Sequence, residues 1–304
     1  MATVTIFGGT GFLGSGIVRA VVAAGFNARI ATRNAPHETP RASDEPISHV
    51  MADVTDEPSV NRAVEGASAV VNAASLYVEK GRATFDAVHI EGAARVARCA
   101  REAGADVLVH ISGLGVDAAS PSAFVRARAR GEQAVRDVFE HSVVVRPSVV
   151  FGRDDRFLTA IEEVTRFPIV PLFGHGETRL QPVFVNDVAA AVAKIIEDRN
   201  QRPPAFELGG AEVLSYRRIL EMVMVHLGRR RLLVPVPFAL WKTLGAVLAA
   251  LPSPPLTRDQ VILMESDNVV TGRTATFYDL GIQPAGLSSL LADCLVRRPE
   301  RSVR

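Results

Sequence analysis

The chain has 304 residues, 48% of them hydrophobic and 22% charged, with a formal net charge of +1. That composition and length suit a globular protein with one large α/β domain and a smaller appended lobe, easily long enough to bury a sizeable core. A charge so near zero sets up no global field for a polyanion, so no nucleic-acid partner is expected. Only Lys80, Lys194 and Lys242 are lysines among 34 basic side chains, a bias that leans bacterial. Cys99 and Cys294 are the only cysteines, which suits a reducing compartment. The seven histidines show no ligand spacing, so no metal site is expected. No apolar run approaches the roughly 20 residues that span a bilayer. No leader is expected either, because TVTIFGG already reads as a strand.

Short apolar runs predict strands over residues 2–7, 27–32, 48–51, 69–72, 106–112 and 142–146, each read as buried on both faces. Between them, helical patterns cover 12–24, 57–65, 85–103 and 122–140. Strictly alternating β and α predicts an α/β fold, a doubly wound parallel sheet of the Rossmann type over residues 1–150. After PSVVFG the rhythm breaks and prolines accumulate. Residues 151–304 are expected to form a smaller C-terminal lobe over the carboxyl ends of the strands, with a helix over 186–198 returning to the main domain.

FGGTGFLGSG follows the first strand and opens the first helix. Gly8 allows the tight turn, Gly11 lets backbone approach a pyrophosphate, and Gly14 lets helix and strand pack closely. Thr10, Phe12 and Leu13 complete this loop, whose helix N-terminus presents N–H groups to phosphates. The second strand ends ARIATRNAP, and Arg33 stands where an acid would bind the adenosine ribose of NAD. A guanidinium suits a 2′-phosphate, so NADP(H) is favoured over NAD(H), although a solvent-facing arginine reads the same way in sequence. Asp53 in MADVTD, with Val54 beside it, could accept from the adenine amino group or serve as an acid at a helix N-terminus. Ala73 and Ala74 give the fourth strand a small-residue end where a cofactor must pass.

The motifs GGTGFLG, ADVTD, VVNAAS, LVHISGLG, RPSVVFG and QPVFVNDVA resemble the short-chain dehydrogenase/reductase superfamily in its extended or atypical branch. The resemblance implies a catalytic Ser at Ser112, a Tyr and a Lys on the next helix, and a cofactor contact at Pro147. Phe124 and Arg128 occupy the Tyr and Lys positions. A phenyl ring has no proton to give, and an arginine stays charged. Losing general acid–base catalysis costs roughly 10²–10⁴ in rate, or about 3–5 kcal/mol of barrier. Arg128 can still hold ribose hydroxyls, and binding the dinucleotide needs none of the lost chemistry. No Tyr-x-x-x-Lys exists elsewhere, and Tyr77 in SLYVEKG is the best relocated acid.

FDAVHIEGA, SPSAFVRARARGEQAV, GHGETRLQPVFVNDV, RRRLLVPVPF and LTRDQV followed by DNVV are similar to one atypical subgroup, the alpha-subcomplex subunit nine family of respiratory complex I accessory subunits and its bacterial relatives. The resemblance implies a tightly held NADPH with a structural or assembly role and complex I subunits as partners. It places the chain in a bacterial cytoplasm, peripheral at the inner face of the membrane, or on the matrix side in a eukaryote. The alternative is an active NADP-dependent reductase or epimerase/dehydratase using Ser112 and Tyr77. An apolar helix over 238–251, with Trp241, Lys242 and the upstream Arg229–Arg231 run, fits either an interfacial membrane or partner contact or a buried lobe helix. The basic 297–304 tail is expected to be frayed.

Overall fold

The computed structural model of the chain describes residues 1–34, 45–198, 202–248 and 257–295. Six strands of its main sheet come early: β1 (Thr3–Phe7), β2 (Asn27–Thr32), β3 (Ile47–Met51), β4 (Ala69–Asn72), β5 (Val107–Ile111) and β6 (Ser142–Pro147). A seventh strand, Ala205–Leu208, pairs with β6. The order runs Ala205–Leu208, β6, β5, β4, β1, β2, β3, and every pairing is parallel. Each expected strand lies within one residue of an observed one. The seventh was missed because AFEL is short and follows two prolines. The chain reverses direction across the sheet between β1 and β4, and a crevice at such a switch point is where this architecture binds its ligand.

The intervening helices are α1 (Phe12–Ala23), α2 (Glu57–Val64), α3 (Ala93–Glu102) and α4 (Ala123–Val138). The predicted helix over 85–103 begins differently, with Asp86–Gly92 forming a π-helical segment continuous with α3. Hydrophobic periodicity cannot show that widening. Beside it in α4, a Cβ on Gly131 would sit 1.9 Å from the His89 carbonyl oxygen. The two backbones therefore meet with no side chain between them.

By internal contacts the described chain divides into two units. The first holds residues 1–148, 185–209 and 270–283, and the second holds 149–184, 210–269 and 284–304. In the first, after α5 (Arg156–Val164) of the second unit, α6 (Val185–Glu197) packs on α1 where Gly16 faces Ala189 and Val185. The second unit has its own core of Phe151, Leu158, Leu172, Ile219, Val223 and Leu287. It contains α7 (Tyr216–His226), α8 (Phe238–Leu248), α9 (Arg258–Leu263) and a two-stranded parallel ribbon of Ile169–Phe173 with Leu232–Val236.

The anchors expected to point α8 at a membrane are used inside this unit. The Trp241 indole N–H donates to the Leu172 carbonyl at 2.9 Å, and Lys242 pairs with Glu265 at 2.8 Å. Arg229 donates to Glu162 O and Thr165 Oγ1, and Arg231 to Thr165 O, so both close the C-terminal end of α5. The last part of the expected 238–251 helix and the 297–304 tail lie outside the described residues. Among the described residues no helix is long and apolar enough to cross a membrane, and no group of His, Cys, Asp and Glu could hold a metal.

One helix face of α4 carries Phe124, Arg128, Glu132 and Arg136 at four-residue spacing. Glu132 is 1% exposed. Arg146 on β6 grips it with Nε and Nη2 at 2.9 and 2.6 Å, and Arg136 adds a bond at 2.9 Å. Burial alone would raise the Glu132 pKa, but these guanidinium groups hold it below the usual carboxylate range. On the other side Arg146 approaches Glu207 of the seventh strand at 4.0 Å, and Glu207 accepts from Thr271 N and Oγ1. His110 on β5 is buried near Glu132, and burial pulls its pKa down to about 4 despite that carboxylate. Burial pulls His89 down to about 4 as well.

Gly131→Ala should therefore destabilise the chain by at least about 2 kcal/mol in urea unfolding, although alanine is the better helix former. An unchanged midpoint would remove the close helix contact as a constraint. Both buried histidines are neutral in the fold and titrate near 6.5 once unfolded. Below about pH 6.5 the unfolded chain takes up protons that the fold refuses, so their contribution is complete above that pH and is lost as pH falls through about 4. Protonation of Glu132 acts in the same direction. The Tm should fall between pH 6.5 and 4, and His89→Gln/His110→Gln should flatten that fall in a pH series of thermal melts.

Candidate dinucleotide site

The glycine loop is built by contacts that a methyl group would break. Gly8 leaves β1 at φ +76°, and a Cβ there would lie 2.6 Å from the Ala73 carbonyl oxygen at the end of β4. A Cβ on Gly14 would lie 2.0 Å from Gly8 O, so α1 starts in contact with the loop backbone. Gly11 N donates to Gly8 O at 2.9 Å and closes the turn. Gly11 is also the N-cap of α1, with no side-chain capping bond and no acid in the first turn. By contrast Asp56, Ser122, Asp155, Ser215 and Thr257 cap α2, α4, α5, α7 and α9. Thr10, Gly11 and Phe12 are exposed and Leu13 half-buried. The first-turn N–H groups and the positive end of the helix dipole thus face outward through a cradle of bare backbone, which fits a pyrophosphate.

The residues expected at the adenosine end cluster around the same edge. Arg33 is exposed immediately after β2. Asp53 accepts Thr55 N and Thr55 Oγ1 on Oδ1, both at 2.8 Å, while Asp56 takes the N-cap of α2. Asp53 is therefore not that helix's capping acid. Its Oδ2 makes no hydrogen bond among the described residues, which leaves an acceptor for an adenine amino group. Val54 packs against Gly92, and its carbonyl accepts from Arg95 at 2.7 Å. Ala73 and Ala74 end β4 half-buried, with Ala73 N bonded to Phe7 O at 3.0 Å.

Ser112, Phe124 and Arg128 come together as well. Ser112 follows β5, is 2% exposed and donates its backbone N–H to Val145 O at 2.7 Å. Its hydroxyl lies close enough to the Glu132 carboxylate to help hold that pKa down, but makes no hydrogen bond of good geometry. The Arg128 guanidinium sits against Gly113, about 3.5 Å from where a Cβ would be, and lies 5.2 Å from the Phe124 ring centroid. Pro147 is buried and its carbonyl accepts from Leu114 N.

Phe124 is only 6% exposed. Tyr77 stacks on it at 5.5 Å, and Phe85 and His89 meet it edge-on at 5.6 and 5.5 Å. Phe124 is thus the centre of an aromatic cluster, with Tyr77 the exposed member. Burial lowers the Arg128 pKa, against which the neighbouring Tyr77 hydroxyl and Glu132 push back. His89 Nε2 lies 2.9 Å from Leu76 O, pinning the loop that carries Tyr77. Sequence reasoning missed Phe85, His89, Gly113 and Glu132. The four-residue spacing of Phe124, Arg128 and Glu132 was a readable signal for the last of these.

The description "NAD dependent epimerase/dehydratase family" matches residues 4–209. The chain is 32% identical over 292 residues to the "NADH-ubiquinone oxidoreductase 40 kDa subunit, mitochondrial" of Neurospora crassa, covering 94% of this chain and 77% of that protein. It is 29% identical over 309 residues to the "NADH dehydrogenase [ubiquinone] 1 alpha subcomplex subunit 9, mitochondrial" of Arabidopsis thaliana, covering 96% and 77%. In fold it is similar to the triphenylmethane reductase of Citrobacter sp. solved with NADP(H), with a TM-score of 0.76 at 17% identity over 96% of this chain and 100% of that one. With the glycine cradle, the parallel sheet and a match over two thirds of its length, the chain belongs to the NAD dependent epimerase/dehydratase family.

Proposed function

We propose that this chain is an NADP(H)-binding, non-catalytic accessory or assembly subunit of respiratory complex I, with the dinucleotide held as a structural element. The observation that carries the reading is a contrast within one unit. The phosphate cradle keeps each bare-backbone contact it needs, while the proton-donor position holds Phe124, buried among Tyr77, Phe85 and His89. Gly8, Thr10, Gly11, Phe12, Leu13 and Gly14 would hold the pyrophosphate, Asp53 and Val54 the adenine, and Arg33 a 2′-phosphate. Ala73, Ala74, Ser112, Arg128 and Pro147 would line the nicotinamide end. Similarity to mitochondrial complex I subunits over more than nine-tenths of this chain supports the partner assignment. The reading places the chain peripherally, at the inner face of a bacterial cytoplasmic membrane or on the matrix side in a eukaryote.

A second reading keeps turnover. Tyr77 is an exposed phenol stacked on Phe124 and beside Arg128, so a hydroxyl and a cation do stand near the lost dyad. Tyr77 would then give its proton to a carbonyl oxygen, with hydride chemistry supplied by the dinucleotide.

Protein denatured directly after purification should release about one NADP(H) per chain, identified by absorbance and mass. Gly14→Val should release almost none. Arg33→Asp should weaken NADPH binding by about 10–100-fold in calorimetry, a loss of about 1.4–2.7 kcal/mol, while NADH binding changes little. An equal loss for both nucleotides would overturn the 2′-phosphate role. Nucleotide that stays reduced across a broad carbonyl panel supports the structural reading. Turnover that Tyr77→Phe abolishes would put the second reading in its place.

A further inference from the structure

The second unit leaves apolar side chains exposed at one end of its two-stranded ribbon. Ile169 and Leu232 are register partners on the same face, 55% and 62% exposed, and Phe167 just before them is 64% exposed. Val170 and Leu172 point the opposite way into the core and are fully buried. The backbone around these tips is held firmly. Leu232 N bonds to Pro168 O at 3.1 Å, Arg229 Nη1 reaches Glu162 O at 2.8 Å, and Arg231 Nε reaches Thr165 O at 2.9 Å. The apolar tips are therefore presented outward by a fixed scaffold.

The surrounding charge points to the occupant. Arg166 is 61% exposed beside Phe167, and Arg230 is exposed beside Leu232. The hydrogen bonds of Arg229 and Arg231 go to neutral oxygens at the end of α5, so these bonds leave their positive charge in place. The nearest acids in sequence are Glu162 and Glu163, and only Glu162 is paired there, with Arg166 at 3.2 Å. Positive charge thus exceeds negative around an apolar tip. The ribbon itself is unsuited to taking a strand from a protein partner, since Pro171 and Pro235 interrupt its two edges.

We propose that this end of the ribbon docks on an anionic lipid bilayer, with Phe167, Ile169 and Leu232 entering the interface and Arg166 and Arg230 at headgroup level. The contact differs from the one expected of α8, whose Trp241 and Lys242 are engaged within the unit. It rests on the peripheral placement proposed above and is independent of the nucleotide.

The test is sedimentation of the full chain with phosphatidylcholine vesicles made with and without phosphatidylglycerol. Binding should require the anionic lipid and weaken as salt rises. Arg166→Gln and Arg230→Gln should each lower the partition by about fivefold, and Phe167→Ser/Ile169→Ser/Leu232→Ser should abolish it at unchanged Tm and nucleotide content. Leu240→Ser/Leu244→Ser on α8 should have no effect. Four results would overturn the proposal. These are no binding to either vesicle, equal binding to both, loss through the α8 variant alone, or a dimer in sedimentation velocity that the ribbon substitutions break. Nucleotide release is measured on the same samples, so a failed lipid contact leaves the NADP(H) reading standing and the reverse also holds.

Discussion

The buried Glu132 carboxylate is the constraint on which the first unit turns. An anion this deep is tolerable only when it is fully paired. Arg146 supplies two parallel bonds from β6 and Arg136 a third from the next turn of α4. That pairing fixes α4 over β6 and, through Arg146 and Glu207, reaches the seventh strand and the segment at Thr271. It also sets the height at which Arg128 and Phe124, one and two turns earlier, meet the end of β5. The positions of Phe124 and Arg128 are thus tied to this buried ion pair.

Packing around Phe124 needs no polar group on its ring. Phe124 packs against Tyr77, Phe85 and His89, and such aromatic contacts are worth roughly 0.5–1.5 kcal/mol each beyond area burial. Arg128 keeps the cation and lies over the Phe124 ring. The packing at this position is thus apolar and aromatic. The phosphate loop has no such latitude, because Gly8 and Gly14 touch backbone atoms that cannot move without separating α1 from the sheet.

In the second unit the apolar helix looked like the obvious surface element, yet the structure ties it inward by an indole hydrogen bond and an ion pair. α8 still exposes Leu240 and Leu244, and further exposed apolar residues are spread over the segment after α5 and two strands. Phe167 and Ile169 lie more than sixty residues from Leu232, so no sequence window could gather them into a patch.

Strand and helix periods and the glycine spacing were legible because each depends on local chemistry. A buried strand must be apolar, and a helix must open at a tight turn. Residues 2–7 through 142–146 accordingly read as strands to within one residue, and the loop residues cluster as their spacing implied. The fold alone decided the π-helical turn at Asp86–Gly92, the placement of Ala205–Leu208 beside β6, the aromatic cluster of Tyr77, Phe85 and His89, and the internal use of Arg229, Arg231 and Trp241. Each of these is a contact between distant segments, set by how close two backbones come or by which buried charge must find a partner.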